Sequence, residues 1–185
     1  MNKREALKRS LMFTLFLALI LFISGTSLTI TYRLAEDRIK KQNRIKIEKM
    51  LKGIFSNMTD YSFDEEKDLY IIYSSNNIVG YAFLAKGKGY GGNIDILVGL
   101  EDEKTIKGVR IVKHSETPGL GSRITEDSFL GQFKDISIKD ALLKGKGGKI
   151  EAITGSTISS RAVTEAVYKE ATKRIKLLDR VKGEE

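Results

Sequence analysis

The 185-residue chain has no cysteine, one histidine and one proline. Without cysteine it can form no disulfide, offer no thiolate to a metal, use no cysteine nucleophile and ligate no iron–sulfur cluster. His114 alone cannot build a histidine metal cluster or a two-histidine acid–base pair. With Pro118 the single proline, chain reversal falls mainly to the 17 glycines. No internal repeat or low-complexity linker interrupts the sequence. Any chemistry must come from elsewhere.

What is present is positive charge and one long apolar run. A net charge of +8 and a pI near 9.5 would suit nucleic acid or an anionic membrane surface, and the placement of the charge decides between them. No aromatic–basic interleaving or nucleic-acid recognition motif occurs, so no nucleic-acid partner is expected. Lys3, Arg4, Lys8 and Arg9 precede a stretch without charge from Ser10 to Tyr32. That stretch can supply the ~20 residues of a spanning helix. It predicts a short basic tail over 1–9 and a transmembrane helix over 10–32, with the lipid bilayer as a partner. A signal peptide is the alternative, because the densest apolar part, Leu11 to Ile23, is short and followed by "SGTS". "LTITY" favours the anchor by extending the run to an interfacial Tyr32. Orientation stays open: Arg33, Arg38, Lys40, Lys41, Arg44 and Lys46 outnumber the basic residues of the tail, yet a short tail before a signal-anchor points the other way.

Apolar residues from Ile39 to Phe55 recur at loosely helical spacing among charges, predicting a juxtamembrane helix over 33–56. Its basic face reads as solvated or as a membrane-surface contact. "DYSFDEEKDLY" reads as an acidic loop. Tyr70–Tyr73, Ile78–Ala85, Ile94–Leu100 and Ile106–Val112 are β-branched or aromatic runs split by "SSNN", "GKGYGG" and "EDEK", predicting four strands in an antiparallel meander. "GKGYGG" resembles a phosphate-binding glycine loop, but it lacks the Gly-Lys-Ser/Thr ending and leads into a strand. A hairpin turn or a close backbone approach is the better reading. "SFLGQFKDISIKDALL" predicts a short amphipathic helix and "KGKGGK" a flexible turn. A final helix is expected from about Ile158 to Asp179, with Ala162, Val163, Ala166, Val167, Ala171, Ile175 and Leu178 on its core stripe. The fold class is therefore α+β: an antiparallel sheet flanked by helices, in one domain over 57–185.

Two segments exceed what a scaffold needs. "KHSETPGLGSR" places His114, Glu116, Thr117, Pro118, Gly119, Leu120 and Gly121 at a strand end. Proline fixes φ there, and the glycines allow unusual backbone angles or a flat ligand against the main chain; an ordinary connecting loop is the plain alternative. "AITGSTISSRAVTEAV" crowds Thr154, Gly155, Ser156, Thr157, Ser159 and Ser160 at a helix start. Capping uses one or two hydroxyls, whereas unpaired N–H groups and the helix dipole also favour an anion at that place.

"ETPGLG" followed by "TGSTISS", with the anchor and "GYGGNIDILVG" ahead of them, resembles the FMN-binding domain of the G subunit of the Rnf electron-transport complex. The related C subunit of the sodium-pumping NADH:quinone oxidoreductase is similar. The short chain favours the Rnf type.

The resemblance implies FMN joined through its phosphate to Thr157 by a separate flavin transferase. Thr154, Gly155, Ser156 and Ser159 would surround the phosphate end, and His114, Glu116, Thr117, Gly119, Leu120 and Gly121 the ring. It further implies electron relay in an ion-translocating ferredoxin:NAD oxidoreductase, among membrane, iron–sulfur and flavin subunits. No catalytic residue and no metal ligand is expected in this chain. The domain would sit on the extracytoplasmic side of a bacterial cell membrane, which makes 1–9 a cytoplasmic tail. Two departures stand out: Glu151 where the motif has Asp, and Ser156 where it has Ala. The competing reading is an anchored binding module without flavin, its basic helix docking on lipid or an acidic partner.

Overall fold

The computed structural model describes residues 3–182, and its contacts divide the chain into a unit ending at Lys46 and a second beginning at Ile47. Helix α1 is assigned from Lys3 to Ile54 without a break, since no proline lies between the stretches expected as separate transmembrane and juxtamembrane helices. From Leu11 it is long and apolar enough to cross a membrane, and its most apolar 18-residue stretch has no buried residue. Three of its threonine hydroxyls are satisfied within the helix. Thr26, Thr29 and Thr31 donate to the carbonyls of Phe22, Gly25 and Ser27 at 2.8, 2.9 and 2.9 Å, as an apolar surround demands.

The second unit is built on a six-stranded sheet in chain order: β1 (Asp60–Asp64), β2 (Leu69–Ser74), β3 (Asn77–Lys88), β4 (Asn93–Leu100), β5 (Thr105–Lys113) and β6 (Ile136–Ser137). Every neighbouring pair is antiparallel. The meander expected from sequence is present, but with six strands where four were expected. The acidic "loop" holds β1, whose Phe63 and Tyr61 rings lie 4.7 and 6.0 Å from that of Tyr70. Cross-strand aromatic contact outweighs the flanking carboxylates there. In the "SSNN" turn, Ser75 and Asn76 take φ of 49° and 68°, the left-handed pair a two-residue hairpin needs.

Helices cover both faces. On one, Ile47, Leu51, Ile54 and Phe55 pack on Ile72, Ala82 and Leu97. Phe55 lies flat because Gly80 and Gly99 leave room: a Cβ at either would come within 2.5 or 2.9 Å of its ring. Arg110 donates from Nη2 to the Gly53 carbonyl at 3.0 Å, meeting the negative end of α1. On the other face lie α3 (Thr157–Lys182), the single turn α2 (Asp127–Leu130) and short 3₁₀ turns. The expected stripe is largely as read: Val163, Val167 and Ala171 are fully buried, Ala162 nearly so, and Ala166 and Ile175 pack against them. The Leu178 side chain lies outside the described residues.

Arg174 ties α3 to the β1–β2 turn. Its side chain is 10% exposed, pairs with Asp68 and Glu170 at 3.0 Å each, and lies 5.6 Å from the Phe83 ring centroid. It also donates to the carbonyls of Lys67 and Asp68. Arg174→Met keeps much of the aliphatic bulk and removes these bonds. It should lower stability by about 1–3 kcal/mol in a urea melt followed by near-UV circular dichroism; an unchanged midpoint would show the clamp to be idle.

Candidate functional site

The two segments singled out in the sequence meet around one buried carboxylate. Glu116 is 5% exposed. Its Oε1 accepts from the Gly91 N–H at 2.9 Å, and its Oε2 accepts from the Ser159 hydroxyl. Its own N–H donates to His114 Nδ1 at 3.2 Å. Glu116 therefore joins the glycine loop, the end of β5 and the first turn of α3.

The glycines make this possible. A Cβ at Gly89 would lie 2.2 Å from Glu116 Oε1, one at Gly121 2.6 Å from Oε2, and one at Gly91 2.1 Å from the Ser115 carbonyl oxygen. "GKGYGG" is thus a close backbone approach closed by a Gly89 N–H to Gly92 carbonyl bond of 2.8 Å. Gly121 is buried against Glu116 and Ser159, while Gly119, at φ +75°, opens on free space. Between them, the Thr117 carbonyl accepts from Leu120 and Ser122, and the Ser122 hydroxyl accepts from the Gly119 N–H. Leu120 is left 53% exposed. Its Cδ2 lies 3.7 Å from where a Cβ at Gly155 would be, so the two segments touch there as well.

The crowded hydroxyls at the start of α3 divide into separate jobs. Ser159 holds Glu116. Ser160 donates to the Ser156 carbonyl at 2.9 Å and accepts from the Ile153 N–H at 3.1 Å, which fixes the turn entered through Gly155 at φ +80°. Thr154 and Thr157 are exposed. Ser156 is 5% exposed, and its hydroxyl has no hydrogen-bond partner. Such an orphan is unusual in a buried position, and it sits where the first-turn N–H groups of a helix also lack intrahelical partners.

Thr157 opens on a groove of about 480 Å³ lined by Leu143, Lys144, Lys146, Glu151 and Arg161 among others. The segment expected as a flexible turn is a loop with backbone bonds of its own. Lys144 N–H bonds to the Ile150 carbonyl at 2.9 Å, Ile150 N–H to the Leu142 carbonyl at 3.0 Å, and Lys146 N–H to the Leu143 carbonyl at 2.8 Å. A Cβ at Gly148 would lie 2.0 Å from the Leu142 carbonyl oxygen, so this glycine serves close packing. Glu151 pairs with Lys144, whose hydrogen bond and charge pull its carboxyl below the ordinary value. The Gln132 amide brackets the Glu151 backbone, accepting from its N–H at 2.7 Å and donating to its carbonyl at 3.4 Å. Gln132, Lys144 and Arg161 escaped sequence reading. Among the described residues, no group of three or more His, Asp or Glu could hold a metal.

This donor set fits FMN. A buried hydroxyl without a partner and a helix N-terminus suit its phosphate. Exposed Leu120, Ile158 and Tyr90 at 53, 52 and 77% offer apolar surface to a flat ring.

A family model described as FMN-binding domain matches residues 89–171, which enclose the glycine loop and both segments. The chain is 34% identical to the G subunit of the ion-translocating oxidoreductase complex of Methanosarcina acetivorans, covering 79% of this chain and 84% of that one. It is 36% identical to the G subunit of the proton-translocating ferredoxin:NAD(+) oxidoreductase complex of Clostridium ljungdahlii, covering 86% and 88%. In fold it is similar to the crystal structure of Shewanella oneidensis NqrC, with a TM-score of 0.50 at 20% identity, covering 66% of this chain and 73% of that chain. Matched in sequence over most of its length and carrying the FMN-binding domain, the chain belongs to the G-subunit family of Rnf-type ion-translocating oxidoreductase complexes.

Proposed function

We propose that this protein is the membrane-anchored flavin carrier of such a complex, holding FMN as a phosphoester of Thr157. The observation that carries the reading is the exposed Thr157 beside the buried, partnerless hydroxyl of Ser156 at the start of a long helix. Bound FMN supplies the reversible redox chemistry that the side chains lack. The chain's own work is to hold and place it. Thr157 gives the ester oxygen, and Ser156 with the first-turn N–H groups of α3 stabilises the phosphate charge. Gly119, Leu120 and Gly155 present an open, partly apolar surface. Glu116 acts at one remove, keeping the loops in register.

Thr157 is exposed at the groove, and among the described residues no hydrogen bond to a buried general base holds its side chain, which supports a separate flavin transferase. In that step Thr157 Oγ would pass its proton to a base of the transferase and form the bond to phosphorus, displacing a phosphate-linked leaving group from an activated flavin phosphate. Membrane, iron–sulfur and flavin subunits would supply the other redox centres, since the chain has no cysteine. The division follows the sequence: tail over 1–9, bilayer span over 10–32, juxtamembrane helix over 33–56 and FMN-binding domain over 57–185 on the extracytoplasmic side. A tether of this kind keeps the cofactor at high effective concentration near its partners.

Full-length protein from a host with the transferase should give a flavin-fluorescent band under ultraviolet light that survives boiling and denaturing electrophoresis; a dark band rejects covalent attachment. The Glu151 side chain is 67% exposed, open to being read by another protein. Glu151→Asp should label at least as well as the parent and Glu151→Ala poorly, by band intensity over a time course. Equal labelling of all three removes the carboxylate from recognition.

A further inference from the structure

The groove beside Thr157 carries charge that the flavin reading does not use. Glu151 is the acidic residue among those lining it, and it is already paired with Lys144. Lys146 and Arg161 also line it, both exposed, and neither forms an ion pair among the described residues. Several cations elsewhere in the same unit are matched, Lys107 with Glu101 and Asp135, Lys149 with Asp140, Arg174 with Asp68 and Glu170, whereas these two are free to meet a ligand on the groove. The loop that presents Lys146 is pinned by its own backbone bonds, and Arg161 stands one helical turn along from Thr157 on α3. Two unmatched cations on fixed backbone thus face a groove that opens on a helix N-terminus, beside a buried hydroxyl with no partner. The two cations and the helix N-terminus at Thr157 each attract an anion, and they line one groove.

We propose that this groove is the phosphate-recognition half of the cofactor site, in which Lys146 and Arg161 bind the FMN phosphate before and after its bond to Thr157 forms. The proposal rests on the flavin reading above. The groove then gives the chain its own preference for FMN over riboflavin, the same ring and ribityl chain without the phosphate. Lys144 stays with Glu151, so the two carboxylate oxygens do not compete for the cations that meet the phosphate.

The test uses full-length protein in detergent from a host lacking the transferase, titrated with FMN and with riboflavin while flavin fluorescence is followed. At low salt, FMN should bind at least about tenfold tighter than riboflavin, the difference made by a charge-assisted phosphate contact. High potassium chloride should shrink that margin, and inorganic phosphate should compete with FMN alone. The double variant Lys146→Gln, Arg161→Gln, with an unchanged thermal midpoint, should bring the two ligands to within about threefold. Equal binding of both flavins by the parent, or a preference that survives the double substitution, overturns the groove. Labelling of the parent in a transferase-containing host separates the two levels. A labelled parent without phosphate-dependent binding rejects the groove alone, whereas an unlabelled parent that binds neither flavin rejects the flavin reading and the groove with it.

Discussion

Thr157→Val should lose the covalent flavin completely and stay folded. The side chain is exposed at the first position of α3, and Ser160 and Ile153 hold the turn without it. Its replacement is therefore a surface change, within about 0.5 kcal/mol of the parent in a urea melt. Loss of label is all or none, because no other atom at that position can form the ester. Parent and variant, expressed together with the transferase, should differ in yellow colour and in-gel fluorescence while their circular dichroism spectra superimpose. A variant still carrying FMN, on Ser156 or elsewhere, refutes the assignment. A variant that loses flavin only because it unfolds would show itself in the melt.

The second large effect is expected from Gly121→Val, and it falls on stability. The sequence invites a reading in which Gly121 lets a ring approach the main chain. Packing assigns that closeness to the protein itself: a Cβ would lie 2.8 Å from the Glu116 Cβ and 3.1 Å from the Ser159 hydroxyl. Valine must push Glu116 aside, and a carboxylate 5% exposed then loses its bonds to Gly91 and Ser159. Overpacking and the stranded charge together should cost about 1–3 kcal/mol or more. Gly119→Ala is the matched control. It faces open space at φ +75°, so the left-handed backbone alone is penalised, by about 1–2 kcal/mol, with the Glu116 bonds intact. Melts should rank the parent above Gly119→Ala and Gly119→Ala above Gly121→Val; a Gly121→Val midpoint equal to the parent's would show that Glu116 is not held as described.

Sequence made the scaffold legible wherever periodicity was strong. The α3 stripe, β4 and the apolar span all carry long unbroken patterns. Strand β1 was hidden because its two aromatics alternate inside an acidic stretch, and the ring contacts with Tyr70 that stabilise it come from another strand. Both functional segments were legible as local oddities of composition. Their junction was not. Glu116 reaches partners 25 and 43 residues away, and no spacing rule links such positions. The one sequence trace is in three glycines, Gly89, Gly91 and Gly121, which mark places where backbone or carboxylate comes too close for a side chain. "KGKGGK" mixes two uses of glycine that sequence does not separate: Gly147 takes a left-handed turn at φ +86°, while Gly148 permits tight packing against Leu142. Lys146 and Arg161 look like ordinary surface cations until the loop and the helix place them on one groove.

The central claim is that FMN is carried on Thr157, and peptide mass mapping of the full-length protein tests it most directly. Cleavage after Lys149 and Arg161 releases one fragment containing Thr154, Ser156, Thr157, Ser159 and Ser160 together. In protein matured with the transferase, that fragment should carry the mass of FMN less water, and its fragment ions should place the whole increment on Thr157. An unmodified fragment, or an increment on any of the other hydroxyls, contradicts the claim.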